Sequence, residues 1–309
     1  MAQRITDRPL AGHDDVVAVQ AFLSKTYRRT ETGLNWEVRR WFGQFWHDDV
    51  GTLDRTPRSR FARVHLWESA SGRILGVMTP EGGGDAHFQV DPKYREIEPA
   101  MLAWAEENLS VKEGEHTTLT TFALAGDDER IDMLRRSGYA IQPWGGVHRW
   151  RSLTTPLPAR KAKRKYDIRG LESNNRSDID QLTQLINAAF GRDFAPSALR
   201  NFETSPGYDP DLQLVAVRDG TVVSHVGVTI DTPSKLAIVE PVCTHPDWRG
   251  KDLATTVMCE GLVRAAAKGA TRAVVGTGID NPANRVYSKL RFDHTEVVQT
   301  WKRSWLADA

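Results

Sequence analysis

The stretch Val239-Glu240-Pro241-Val242-Cys243-Thr244-His245-Pro246-Asp247-Trp248-Arg249-Gly250-Lys251-Asp252-Leu253-Ala254 brings carboxylate, thiol, imidazole, guanidinium and amine together in one short run. Physically it reads as a strand, a tight turn and the start of a helix. The first N–H groups of a helix have no intrahelical acceptor, so a helix start is an anion site suited to a phosphate or pyrophosphate. Arg249 and Lys251 add positive charge, and Gly250 permits close backbone approach. The same residues also describe an ordinary strand-to-helix turn with a solvated Arg and Lys. By itself this stretch leaves both readings open.

A second stretch, Asp280-Asn281-Pro282-Ala283-Asn284-Arg285-Val286-Tyr287-Ser288-Lys289-Leu290-Arg291-Phe292, follows the next strand behind Gly276-Thr277-Gly278. Together the two resemble the GNAT N-acetyltransferase superfamily. Its first signature, Gln/Arg-x-x-Gly-x-Gly/Ala, reads here as Arg249-Gly250-Lys251-Asp252-Leu253-Ala254, and its second is matched by Asn281, Asn284, Tyr287 and Phe292. The resemblance covers residues 166–304 well and, through an internal repeat, residues 3–151 weakly.

The resemblance implies an acetyl-CoA-dependent N-acetyltransferase acting on a primary amine of a small molecule or peptide. It places the pyrophosphate on the amides of residues 250–254, beside Arg249. It lays the pantetheine arm along Val242, Cys243 and Thr244, gives Asn281 and Asn284 cofactor-side polar contacts, and makes Tyr287 the acid that protonates the leaving thiolate. Pro241 cannot donate to a strand ladder, so a bulge is expected there. The amine needs a base. Glu240, at that bulge, leads; His245 comes second, and His225 and Asp231 follow. Direct attack in a ternary complex is expected, with Cys243 the thiol to check as a nucleophile. Arg192-Asp193-Phe194 and Trp301 are candidates for the acceptor loops. No metal is implied. The alternative is a non-catalytic CoA-sensing or partner-binding tandem module.

Two positions depart from the family pattern. Asp252 stands where the invariant glycine of the pyrophosphate signature falls. A carboxylate ~6 Å from a phosphate costs roughly 3 kcal/mol at an effective dielectric of about 20, unless it turns away to cap the helix. Arg291 replaces the glycine before Phe292, so that turn must avoid a left-handed conformation or carry strain.

Alternating elements must position these residues. Tyr166-Asp167-Ile168-Arg169 reads as a strand, and Ser177-Asp178-Ile179-Asp180 as a capping box opening a helix with Ile179, Leu182 and Ile186 on one face. Residues 212–217 and 222–230 flank Asp219-Gly220 as a hairpin. Leu253, Val257, Leu262 and Ala265 line a helix that Gly269 ends. The first half repeats the order. Gly76 matches Gly227, Asp91-Pro92-Lys93-Tyr94-Arg95 matches His245-Pro246-Asp247-Trp248-Arg249, and Tyr139 matches Phe292, at offsets of 151, 154 and 153.

The expected fold is therefore α/β (α+β): two tandem GNAT-like domains, each a mixed, mostly antiparallel sheet flanked by helices. They comprise a degenerate domain over 1–153, a basic Pro-containing linker over 154–165, and an acetyltransferase domain over 166–309. In the first, Arg95-Glu96-Ile97-Glu98-Pro99-Ala100 replaces the phosphate loop, and its carboxylates and proline oppose CoA binding.

Composition agrees. The 309 residues fit two domains, and 41 Lys plus Arg against 40 Asp plus Glu give +1, which opposes a dedicated nucleic-acid binder. No apolar run approaches the ~20 residues of a membrane span. Two cysteines, Cys243 and Cys259, form no metal or disulfide pattern, and a cytoplasmic location is expected.

Overall fold

The computed structural model describes residues 4–30, 33–46, 61–158, 165–172 and 175–306. The basic run expected as a linker, apart from Lys165, lies outside them. The chain forms two compact units. The first comprises Met1–Val38, Leu53–Val147 and Glu296–Ala309; the second comprises Arg39–Thr52 and His148–Thr295.

The first unit opens with β1 (Ile5–Pro9) and α1 (His13–Thr30), followed by β2 (His65–Ser69), β3 (Ile74–Thr79) and β4 (Asp85–Val90). Then come α3 (Glu98–Asn108), β5 (Val111–Glu113), β6 (His116–Leu124) and α4 (Asp128–Arg136), while α2 (Val38–Trp46) falls almost wholly in the second unit. The first unit's sheet runs β1-β2-β3-β4-β6, then β13 (His294–Leu306), then β7 (Ala140–Ser152). The β4–β6 pairing is parallel and its neighbours are antiparallel, with β13 lying along β6 from Val298↔Leu124 to Leu306↔His116. Its core packs Leu75, Phe88, Met101, Leu119, Leu134 and Trp301. Trp301, a sequence candidate for the acceptor loops, is thus a buried core residue, because β13 carries it into this sheet.

The second unit holds β8 (Asp167–Gly170), α5 (Arg176–Phe190), α6 (Pro196–Phe202), β9 (Gln213–Arg218), β10 (Thr221–Asp231) and β11 (Leu236–Thr244). Completing it are α7 (Leu253–Ala267), β12 (Arg272–Gly278) and α8 (Asn284–Lys289). Its sheet runs β12-β11-β10-β9-β8, and the end of β7 lies beside β12. Val226, Val228, Val239, Val257, Leu262 and Phe292 fill the face under α7; Leu182, Ile186, Val215 and Cys243 fill the opposite face under α5.

Local chemistry sets the element ends. Asp219 (φ 50°) and Gly220 (φ 78°) make the β9–β10 turn, the left-handed pair that a two-residue hairpin needs. The expected capping box is displaced: Asn175, not Ser177, is the N-cap, its Oδ1 accepting the Ser177 N–H at 3.0 Å. Asp178 is drawn instead to Arg169, at 2.6 Å, a stronger charge-assisted bond than a cap offers.

Candidate active site

The strand pair β11–β12 is parallel only as far as Ile238↔Val274. Both strands run on, β11 to Thr244 and β12 to Gly278, with no further pair between them among the described residues. The edge of β11 over 239–244 therefore faces an open fork. Glu240 is the second residue past the last pair and is exposed. On the other edge, β11 pairs with β10 through Val226↔Val242 and Val228↔Val239, so Glu240 and Pro241 together oppose Gly227. This is the bulge expected at Pro241. Gly227 is required there, since a Cβ would lie 2.6 Å from the Glu240 carbonyl oxygen.

Tyr287 reaches the same place from α8. It is buried, and its pKa is pushed up to about 12, first by burial and next by the Glu240 carboxylate, with the Arg149 guanidinium opposing. Glu240 and Tyr287, the two residues the sequence singles out for acid–base work, thus influence each other electrostatically. The hydroxyl stays protonated through the neutral range and can donate a proton.

At the far end of the fork, His245 Nδ1 accepts the Asp247 N–H at 3.3 Å. The turn then passes through Gly250 (φ 74°) and Asp252 (φ 63°) into α7. The position of a Cβ on Gly250 meets nothing within 4 Å, so the loop lies open. Thr256 N–H is the first to close on the helix, accepted by the Asp252 carbonyl at 3.1 Å; Leu253, Ala254 and Thr255 precede it. Arg249 lies alongside, its Nε 3.4 Å from the Thr244 carbonyl and its Nη2 3.1 Å from that of Ala189. Lys251 Nζ sits 4.4 Å above the Trp248 ring and donates to the Asp247 carbonyl at 2.8 Å. Asp252 does not cap the helix; its carboxylate turns to α8 and pairs with Lys289 Nζ at 2.8 Å.

The remaining candidates are placed as follows. Asn284 Nδ2 donates to the carbonyls of Gly278 and Ile279, and Asn281 Oδ1 accepts the Ala283 N–H, so both shape the β12–α8 loop. Cys243 is buried and its thiol is pushed up to about 12, leaving no thiolate for covalent catalysis at neutral pH. His225 is buried with Nδ1 on the Leu214 carbonyl, and Asp231 binds Ser234 at the opposite end of β10. Arg192, the other acceptor-loop candidate, lies over Phe190 and Phe194.

Two residues missed in the sequence come from β7. Arg149 donates to the carbonyls of Phe292 (3.1 Å) and Asn284 (3.0 Å), and Arg151 to that of Leu290 (2.5 Å). The alternation His148-Arg149-Trp150-Arg151, two arginines on one face of a strand, was the available signal.

The first unit has the same fork in closed form. The β4–β6 pairing ends at Ala86↔Thr121, and just beyond it His87 stacks on Phe122 with ring centres 4.4 Å apart. Asn35, itself buried, binds the β4 backbone beyond the last β6 pair at two points: its Oδ1 accepts the Val90 N–H at 2.8 Å and its Nδ2 donates to the Val90 carbonyl at 2.9 Å. At the start of α3, the Glu98 carboxylate is clamped by Arg95 and Arg130, both at 2.8 Å. The offset of 153 puts Leu134 where the second unit has Tyr287.

Residues 179–292 match the family described as Acetyltransferase (GNAT) family. The whole chain is similar in fold to solved GNAT proteins, one of them a tandem GNAT protein. It superposes on a tandem GNAT protein from the clavulanic acid biosynthesis pathway with a TM-score of 0.66 and 19% identity, covering 99% of this chain and 100% of that one. A GCN5-related N-acetyltransferase from Sphaerobacter thermophilus gives a TM-score of 0.64 at 14% identity, over 99% and 97% of the two chains. A GNAT-family acetyltransferase from Colwellia psychrerythraea gives 0.57 at 10% identity, over 96% and 100%. No curated protein matches the sequence. No described helix is long and apolar enough to cross a membrane, and no described cluster of His, Cys, Asp and Glu could hold a metal ion.

Proposed function

We propose that this chain is an acyl-CoA-dependent N-acetyltransferase that moves an acetyl group from acetyl-CoA to a primary amine of a small molecule or peptide. Of two copies of one domain, over 1–153 and 166–309 with a linker at 154–165, only the second is competent. The observation that carries this reading is the fork where β11 and β12 part, with the Glu240–Pro241 bulge at its root and the open Gly250 turn at its far end.

The residues present fit the donor. The unpaired edge at Val242, Cys243 and Thr244 suits an extended amide-bearing arm. The open Gly250 turn and the amides of Lys251, Asp252, Leu253 and Ala254, flanked by Arg249, suit a pyrophosphate. Asn281 and Asn284 keep the fork's other bank in shape. Acetyl-CoA, when bound, supplies the activated thioester.

Glu240 takes the proton that the attacking amine loses, directly or through water. The Tyr287 hydroxyl gives its proton to the departing sulfur, and its high pKa keeps that proton available at working pH. Attack is direct, since Cys243 is held as a buried thiol.

Calorimetry with acetyl-CoA tests the reading. One saturable site per chain is expected, lost in Gly250→Val, whose side chain is strained at φ 74° and stands in the open turn. No heat of binding even at millimolar donor would end it; two equivalent sites would end the assignment to the second copy alone.

A further inference from the structure

Arg149 is remote in sequence from every motif residue, yet its guanidinium spans the segment that carries Tyr287. Nε reaches the Phe292 carbonyl at 3.1 Å, and Nη1 reaches the Asn284 carbonyl at 3.0 Å and its Oδ1 at 3.4 Å. These carbonyls bracket Tyr287, one at the first residue of α8 and one beyond its last turn. Helix α8 is short, and short helices need outside contacts to hold their shape. A guanidinium makes charge-assisted bonds to such carbonyls, stronger than neutral ones. Arg151, on the same face of β7, adds a bond to Leu290.

We infer that Arg149 is a positioning residue for the reaction proposed above: it clamps both ends of the α8 segment so that the Tyr287 hydroxyl is held at the leaving sulfur. The inference rests on that functional reading. A planar five-donor fork can bind carbonyls on two sides of one segment at once; a lysine ammonium on the same strand cannot span both. The positive charge also lies close enough to Tyr287 to oppose the effect of the Glu240 carboxylate.

A double-mutant cycle on the full chain tests it. In Arg149→Met, kcat is expected to fall by about 10- to 100-fold with KM for acetyl-CoA changed by less than about two-fold, the pattern of a misplaced acid. Arg149→Lys keeps charge and is expected to recover only part of that loss. In a Tyr287→Phe background, Arg149→Met is expected to lower kcat by less than about two-fold, since the group it positions is already gone. A full second loss in that background, or an unchanged kcat in Arg149→Met, overturns the inference. Hydrogen exchange reads the clamp independently of activity: amides of 284–292 are expected to exchange faster in Arg149→Met while those of 257–265 do not. Unchanged exchange at 284–292 overturns the clamp. Absence of any transfer by the unaltered chain counts against the functional reading instead, and leaves the exchange experiment to decide the clamp.

Discussion

Asp252 and Lys289 form an ion pair of 2.8 Å that joins the first turn of α7 to the end of α8. The pair settles where the anomalous carboxylate of the pyrophosphate signature goes. The first unit repeats the arrangement one domain earlier, with Glu98 at the start of α3 paired to Arg130 on α4. In both units, the acid at a helix start is neutralised by a base on the helix that follows.

Because Lys289 already balances Asp252, Asp252→Gly should change acetyl-CoA affinity by less than about three-fold, far from the roughly hundred-fold gain that relief of about 3 kcal/mol would give. Lys289→Met leaves the carboxylate beside the phosphate site without that balance and should weaken binding more than Asp252→Gly strengthens it. Titration of the two variants side by side checks this; a large gain in Asp252→Gly means the carboxylate faces the phosphates.

Arg291 adopts φ 61°, the left-handed conformation that a glycine takes without cost. A non-glycine residue there carries about 1–2 kcal/mol of strain, partly offset by the greater unfolded freedom of glycine. Arg291→Gly is expected to stabilise the second unit by about 0.5–1 kcal/mol in urea denaturation. A loss of stability would show that the exposed Arg291 side chain contributes more than its backbone costs.

Burial drives His225 down to about 4, while its Nδ1–H bonds the Leu214 carbonyl at 3.0 Å. The unfolded chain, with an ordinary imidazole near 6.5, binds the proton first. Stability from this group is therefore fully present above about pH 6.5 and is lost as pH falls towards 4, by about 3 kcal/mol in all. His148, also held near 4 by burial, acts in the same direction. Stability measured against pH should fall over this window, and His225→Gln should flatten the slope between pH 6 and 5 by about 1 kcal/mol per unit. An unchanged slope would mean that His225 is charged in the folded protein.

Much of the second unit was legible in its sequence because its cues are local. The Asp219-Gly220 turn, the stop at Gly269 and the bulge at Pro241 each depend on a few neighbouring residues. Glu240 was singled out by its place at the bulge and Tyr287 by the second motif, both of them local signals. What stayed hidden depends on distant segments. Nothing near Arg149 announces that it holds α8, and nothing near Trp301 announces that β13 runs along β6. The helix start at Asn175 was missed because Ser177 and Asp180 offer an equally good local pattern, and only the pull of Arg169 on Asp178 separates them. The charged loop at Arg95–Glu98 marked the departure of the first unit from the phosphate-loop pattern, but the part played by Asn35 needed its partner Val90 in view.

The most direct measurement is thiol release from acetyl-CoA across a panel of primary amines, with the unaltered chain, Glu240→Gln and Tyr287→Phe. At least one amine should drive release, and each substitution should lower kcat by about 10²–10⁴-fold, the span of general acid–base catalysis, with donor binding retained. Firm binding of acetyl-CoA with no release for any amine would contradict catalysis and identify a CoA-sensing module. Full activity in Tyr287→Phe would remove the hydroxyl from its role.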